Sequence, residues 1–334
     1  MTNDDRHGAT HGQSVVSVAP MMDWTDRHCR YFLRLLNPDV RLYTEMITAA
    51  ALHHGDADTL LRFDADEHPV ALQVGGSEPA LMAEAARRGA DAGYDEININ
   101  VGCPSDRVQS GMFGACLMAM PERVAACVEA MRKAIDRPVT IKTRIGIDDR
   151  DDYSFLREFV ETAMAAGCGT FIVHARVAIL EGLSPKENRS IPPLRYEHVY
   201  RLKKEYPHLE IVLNGGVTSI AACREHLTHV DGVMIGREAY QRPWFLVELG
   251  RELGVAAGGL PGSRAEVIER MLPYTERELA VGTPLKNITR HLLGLFAGQP
   301  GARAWRRHLS ENAHRQDAGI DVLLDAMRRL PEAA

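Results

Sequence analysis

Asn98-Ile-Asn-Val-Gly-Cys-Pro104 brings two amides and a thiol together at a chain reversal. Apolar and polar residues alternate from Ile97 to Val101, the period-2 pattern of a strand, and Gly-Cys-Pro then breaks it and presents the thiol on a loop. A thiol at a strand end can act as a nucleophile, for which it must lose its proton, or as a general acid, for which it must keep it. Most free cysteines are small buried residues and nothing more. Cys103 therefore takes its meaning from the groups delivered beside it.

The elements that would deliver them are eight short runs rich in Val, Ile and Leu, at residues 15–21, 42–47, 70–74, 96–101, 139–144, 170–175, 210–214 and 232–236. Helical patterns lie between most of them, for example at 78–88, 121–135, 153–166, 198–205 and 219–227. Alternating strands and helices imply parallel pairing with right-handed crossovers. Eight such units predict an α/β fold, a (β/α)8 TIM barrel. A doubly wound open sheet is the alternative, but no Gly-x-Gly-x-x-Gly turn follows the first strand. After the Gly-rich stretch 254–263, every segment reads as helix, at 264–281, 285–296, 302–312 and 320–330. The expected organisation is a flexible N-terminal tail at 1–14, a catalytic barrel at 15–253 and a small helical domain at 264–334.

In a barrel all strand ends converge on one mouth. Read in order they offer Pro20-Met21-Met22, Glu45, Gln73, Asn98 with Asn100 and Cys103, Lys142 with Arg144, His174 with Arg176, Asn214-Gly215-Gly216, and Gly236-Arg237. The last two follow strands seven and eight, where barrels commonly hold a phosphate on backbone N–H groups. Glycine permits the close approach, and Arg237 adds charge-assisted donors. A phosphorylated cofactor or substrate lying across the mouth would place Lys142 where it stabilises negative charge on an electron-accepting ring such as a reduced flavin.

Bulk composition sets limits. The chain has 334 residues, with 45% hydrophobic and 25% charged, as in ordinary globular proteins. No apolar run has the length of a signal peptide core or a membrane span, and six scattered cysteines without a Cys-x-x-Cys pair suggest neither zinc nor a disulfide framework. These features point to a cytoplasmic protein with no membrane partner and no metal. The net charge of −6 argues against nucleic acid, yet residues 286–315 carry six Lys or Arg against the single acid Glu311. Arg303, Arg306 and Arg307 share one helix face by their spacing. A local basic face can bind RNA whatever the total charge.

Ala19-Pro-Met-Met-Asp23, Gln73-Val-Gly-Gly76, Asn98-x-Asn-x-Gly-Cys-Pro104, Lys142-Thr-Arg144, His174-Ala-Arg176, Asn214-Gly-Gly216 and Gly236-Arg237 together resemble the flavin-dependent tRNA-dihydrouridine synthases over nearly the whole chain. Residues 182–193 and 300–310 are most similar to the A subfamily, which acts on uridines 20 and 20a of the tRNA D-loop. The resemblance implies FMN, reduced by NADPH or NADH, and hydride transfer to C6 of a uracil, with Cys103 as the proton donor to C5. It implies flavin contacts from Pro20, Met21 and Met22, from Gln73 and Lys142 at the polar edge, and from His174. Asn214, Gly215, Gly216, Gly236 and Arg237 would hold the phosphate. Asn100 would hold the uracil, since an amide can meet both a carbonyl and an N–H. Lys186, Arg189, Arg303 and Arg306 would contact tRNA, and Gly111 and Gly114 suggest a loop that closes over the substrate. The expected state is a monomer. Two rivals remain at this point: a flavin barrel acting on a free pyrimidine, and an RNA-binding chaperone on a flavin fold.

Overall fold

The structure is a computed structural model, and it describes residues 15–105, 111–254 and 259–331. Nine parallel strands form it: β1 Val15–Val18, β2 Leu42–Tyr43, β3 Ile47–Thr48, β4 Val70–Gly75, β5 Glu96–Val101, β6 Val139–Arg144, β7 Thr170–His174, β8 Glu210–Asn214 and β9 Gly232–Ile235. Hydrogen bonding runs β1-β9-β8-β7-β6-β5-β4-β2, with β3 also on β4. A bridge from Ser17 to Arg41 joins β1 to the start of β2, so the wall closes into the expected eight-unit barrel. Only the second unit is split. The 42–47 run is broken at 44–46, where Thr44 Oγ1 donates to the Glu45 carbonyl and accepts from Gln73 N. The break turns Glu45 toward a cavity it also lines.

Two apolar clusters explain the closure. One lies between strands and outer helices and includes Leu72, Val74, Ile97, Ile99, Ile141, Phe171 and Val173. The other fills the barrel axis with Tyr43, Ala71, Ile172, Val212 and Met234. Strand residues alternate between these two faces. Strands buried on both faces are expected in a parallel barrel wall, and β4 and β5 are buried throughout. The same alternation sends Gln73, Asn98, Asn100, Thr140, Lys142, His174 and Asn214 inward. Register then sets them side by side: Asn98 pairs with Thr140, Asn100 with Lys142, and His174 with both Arg144 and Asn214.

The helix Arg27–Leu36 hides its character in sequence because it buries Arg30 and Arg34 along with its apolar residues. Arg30 Nε donates to Glu67 at 2.6 Å, and Arg34 donates to the Glu67, Asn37, Pro38 and Pro69 carbonyls. Buried arginines are tolerated when each donor finds an acceptor. Helix Leu285–Leu292 is shorter than its expected 285–296, since the chain passes into turns at 293–299. There a Cβ on Gly294 would lie 2.6 Å from the Gln241 carbonyl, a closeness only glycine allows. Helix Asp321–Met327 is likewise shorter than 320–330. Among the described residues, no helix is long and apolar enough to cross a membrane.

The C-terminal helices are fastened to the barrel through helix Arg27–Leu36. Arg27 makes a two-pronged pair with Glu278 at 2.5 Å, and Arg62 reaches the same carboxylate at 3.2 Å. Tyr31 stacks on Tyr274 at 3.9 Å between ring centres, and Asp26 is held by Arg290 and His291. Hydrogen bonds from Arg27 and Thr283 outweigh burial and keep the Glu278 carboxyl below its ordinary range. A depressed carboxyl contributes stability above its unfolded-state pKa and loses it as pH falls through the folded value. Glu278→Gln should therefore cost about 1–3 kcal/mol in urea unfolding at pH 7, and the gap to the native protein should narrow below about pH 4 and be lost as pH falls through about 2. A gap that stays constant down to acid pH would remove this carboxylate from the joint.

Candidate active site

A line of buried polar groups climbs the inside of the barrel. At its floor, Glu96 accepts from Tyr43 and Thr140 hydroxyls at 3.0 and 2.5 Å, while its other oxygen lies 3.2 Å from Arg41. Burial pushes the Glu96 carboxyl up, and Arg41 opposes that shift. Above it, Asn98 Nδ2 donates to Thr140 Oγ1, Gln73 Nε2 to Asn98 Oδ1, and Asn100 Nδ2 to Gln73 Oε1, each at 2.8 Å. Asn100 Oδ1 finally accepts the backbone N–H of both Gly102 and Cys103 at 3.1 Å. All donors in the line point toward Glu96. The amide orientation of Asn100 follows: its oxygen holds the Cys103 loop, and one N–H remains for the mouth. The expectation that this amide offers a ligand both an acceptor and a donor narrows to a donor.

Across the mouth stand Lys142, Arg144, Arg176, Arg189 and Arg237. Among the described residues none of the five has a carboxylate within ion-pair distance. Lys142 Nζ donates to Asn214 Oδ1 at 3.1 Å, and burial followed by the Arg144 charge brings its ammonium down to about 7. Burial and then Arg144, Lys142, Arg176 and Arg189 hold the His174 imidazole far below its ordinary pKa, so it is neutral at pH 7. Arg144 ties together the Gly102 and Asn188 carbonyls at 3.1 and 3.0 Å, one beside Cys103 and one in the 182–193 segment. Uncompensated buried cations are costly unless an anion joins them. This rim has the charge of an anion site.

The glycines complete it. Gly215 and Gly216 have φ of +110° and +72°, and a Cβ on Gly215 would meet the His174 ring at 2.4 Å. A Cβ on Gly236 would meet nothing, so space stands open beside it. Arg176 Nε is buried and has no acceptor.

Cys103 opens on the other side of the mouth into a cavity of about 680 Å³ that reaches the C-terminal helices. Met22, Glu45, Arg62, Ser105 and Arg290 share its wall. Cys103 Sγ is 3.5 Å from Ser105 Oγ, and its carbonyl accepts from Ala115 N. The stretch between them, with most of the expected closing loop before Gly111 and Gly114, falls at 106–110 outside the described residues.

The strand-end residues read from sequence thus converge: Gln73, Asn100, Cys103, Lys142, His174, Asn214, Gly215, Gly216, Gly236 and Arg237 ring one mouth. Pro20 and Met21 follow β1, where Met21 N donates to Thr25 Oγ1, and Met22 is exposed on the cavity wall. Lys186 and Arg189 lie exposed beside the rim, where Arg237 donates to the Arg189 carbonyl. Arg303 and Arg306 are exposed on helix Ala302–Asn312, whose inner face buries Trp305 and Leu309. Arg307 is matched by Glu311 at 2.9 Å. Sequence reasoning set Glu45 among the strand ends without giving it a role, and passed over the free Nε of Arg176 and the cavity wall made by Arg62 and Arg290. Alternation along β7 already placed Arg176 beside the mouth, whereas Glu45 depends on a strand break without a sequence signal. Among the described residues, no group of three metal-ligating side chains gathers.

The family described as Dihydrouridine synthase (Dus) matches residues 17–330. A Shewanella oneidensis protein named tRNA-dihydrouridine(20/20a) synthase is 59% identical over 307 residues, 92% of this chain and 91% of its own length. Proteins of the same name from Escherichia coli K12 and Vibrio cholerae are 57% and 56% identical, covering 95% of this chain and 92% and 96% of their own. A solved 2-naphthoyl-CoA reductase complex shares the fold with a TM-score of 0.53 at 12% identity, over 71% of this chain and 50% of that one.

The polar line can be cut in its middle. Thr140→Val keeps the shape but strips Asn98 Nδ2 of its acceptor and Glu96 of a donor. It should cost about 1–3 kcal/mol in urea unfolding, the penalty of leaving a buried polar group unpaired. A loss below about 0.5 kcal/mol would mean that Asn98 finds another partner and that the line does not act as a unit.

Proposed function

The chain belongs to the dihydrouridine synthase family, and on that footing we propose that it reduces the C5–C6 double bond of uridines 20 and 20a in the tRNA D-loop to 5,6-dihydrouridine, using FMN reduced by NADPH. One observation carries the reading: a single barrel mouth joins an anion cradle without carboxylates to a thiol that faces a nucleotide-sized cavity. The residues fit FMN on three counts. Arg176 Nε is buried and lacks an acceptor, the space at Gly236 is open, and Arg144 places positive charge deeper in the mouth beside Lys142, whose ammonium a bound anion would favour. A phosphate would rest on Gly215, Gly216, Gly236 and Arg237, and the ring would lie over Met21 and Met22, with Gln73, Lys142 and His174 along its edge.

Bound FMN would supply the hydride that adds to C6 of the uracil. This chain's task is then the proton. The electron pair left on the uracil gives an enolate with carbanion character at C5, and the Cys103 S–H bond breaks as a C5–H bond forms. Solvent returns a proton to the thiolate. The polar line holds the Cys103 loop through Asn100 Oδ1 and leaves the remaining Asn100 N–H to meet a uracil carbonyl. Neutral His174 does not compete with Lys142 and Arg144 for the anion.

A uracil stacked in a folded loop must leave the stack to enter the cavity. Lys186 and Arg189 flank the mouth, and Arg303 and Arg306 form a second basic patch for RNA phosphates. Shape and phosphate contacts dominate recognition of this kind.

Cys103→Ala should lower dihydrouridine formation about 10²- to 10⁴-fold while flavin absorbance and tRNA binding persist. Undiminished yield, or turnover on free uridine by the native enzyme, would overturn the assignment. Arg303→Ala combined with Arg306→Ala should flatten the dependence of log Kd on log salt by roughly 1–2. An unchanged slope would take that helix out of the RNA interface.

A further inference from the structure

We propose that Tyr196 is a positioning residue for the phosphate end of the cofactor: its hydroxyl anchors the Gly215 carbonyl and so aims the Gly216 N–H into the barrel mouth. The inference rests on the FMN reading above. Tyr196 opens the helix Tyr196–Glu205, directly after the 182–193 segment, and its OH donates to the Gly215 carbonyl at 2.9 Å. The peptide between Gly215 and Gly216 is planar and trans, so its C=O and N–H point in opposite directions. An oxygen tied outward to Tyr196 leaves the nitrogen's proton facing inward. The positive φ of both glycines produces this orientation, and their freedom would also let the peptide turn over if the oxygen were released.

The surroundings leave the hydroxyl little latitude. A Cβ on Gly216 would stand 2.7 Å from the Tyr196 oxygen and 2.6 Å from Leu194, so the loop presses on both. The Tyr196 ring lies 4.5 Å from the buried His226 ring and 6.4 Å from Tyr200, whose own hydroxyl hydrogen-bonds to His226 Nδ1 at 2.7 Å. On its N-terminal side, Arg195 N donates to the Ala175 carbonyl and Arg176 reaches the Pro192 carbonyl. Tyr196 is therefore the hinge pin between the loop after β8 and the segment that carries Lys186 and Arg189. A phosphate monoester is the ligand group that gains from a fixed Gly216 N–H, because its oxygens accept from backbone donors and neighbouring arginines together.

Tyr196→Phe keeps the ring and removes only the anchor. Flavin binding to the flavin-stripped full chain is read by quenching of flavin fluorescence, with FMN and riboflavin compared side by side. The variant should bind FMN about 3- to 15-fold more weakly, the fold-change of one neutral hydrogen bond, with riboflavin affinity unchanged. Equal weakening for both ligands would mean a general structural role and overturn the proposal, as would no weakening of FMN. A second measurement needs no variant. In the native chain labelled with [15N]glycine, the Gly216 amide resonance should move on adding FMN and stay put with riboflavin, and an amide indifferent to FMN overturns the proposal. Native protein that binds neither flavin would overturn the proposed function together with this inference, whereas tight native FMN binding with an insensitive Tyr196 would overturn the inference alone.

Discussion

A single buried carboxylate at the floor of the barrel sets the direction of everything above it. As a carboxylate beside Arg41, Glu96 accepts from the Tyr43 and Thr140 hydroxyls, and each amide passes that polarity upward to the next. The line ends on the two N–H groups that hold the thiol loop. Asn, Gln and Thr in a barrel interior are tolerable only when each is satisfied, and a fully satisfied line has one orientation. Position and orientation of the Cys103 loop are thus inherited from a residue at the opposite end of β5.

Charge at the mouth is divided by side. Toward the glycine loops stand Arg144, Arg176, Arg189 and Arg237, and among the described residues none of them has a carboxylate within ion-pair distance. Toward the C-terminal helices, acids and bases interleave through Asp26, Glu278, Arg27, Arg62 and Arg290. The first side has no acid paired with its arginines among the described residues, and the second is already neutralised and serves as a joint. This division explains why a net charge of −6 says little about what the molecule binds.

Much of this was legible in the sequence because strands β4 to β9 are buried on both faces and bounded by turn residues. Once their phase was known, period-2 alternation placed Gln73, Asn100, Lys142, His174 and Asn214 on the inner face. Legibility failed where polar groups are buried for reasons of tertiary contact. The helix Arg27–Leu36 hides two arginines whose acceptors, Glu67 and a set of carbonyls, are distant in sequence or irregular in conformation. The break at 44–46 depends on Thr44 meeting Gln73, which no local pattern announces. Spacing placed Asn100 on the inner face but could not say which end of its amide holds the Cys103 loop. That depends on the whole line down to Glu96.

The joint between barrel and C-terminal helices has a mechanical consequence. Bidentate ion pairing at Glu278, stacking of Tyr31 on Tyr274, and the grip of Arg290 and His291 on Asp26 hold the barrel and the C-terminal helices together where both line the cavity. On the proposed reading, the deformation needed to bring base and thiol together then falls on the RNA, at a few kcal/mol for one unstacked nucleotide. A receptor joined in this way ranks nucleotides by their compliance. Of two neighbouring uridines with identical chemistry, the one whose backbone yields more easily is reached first.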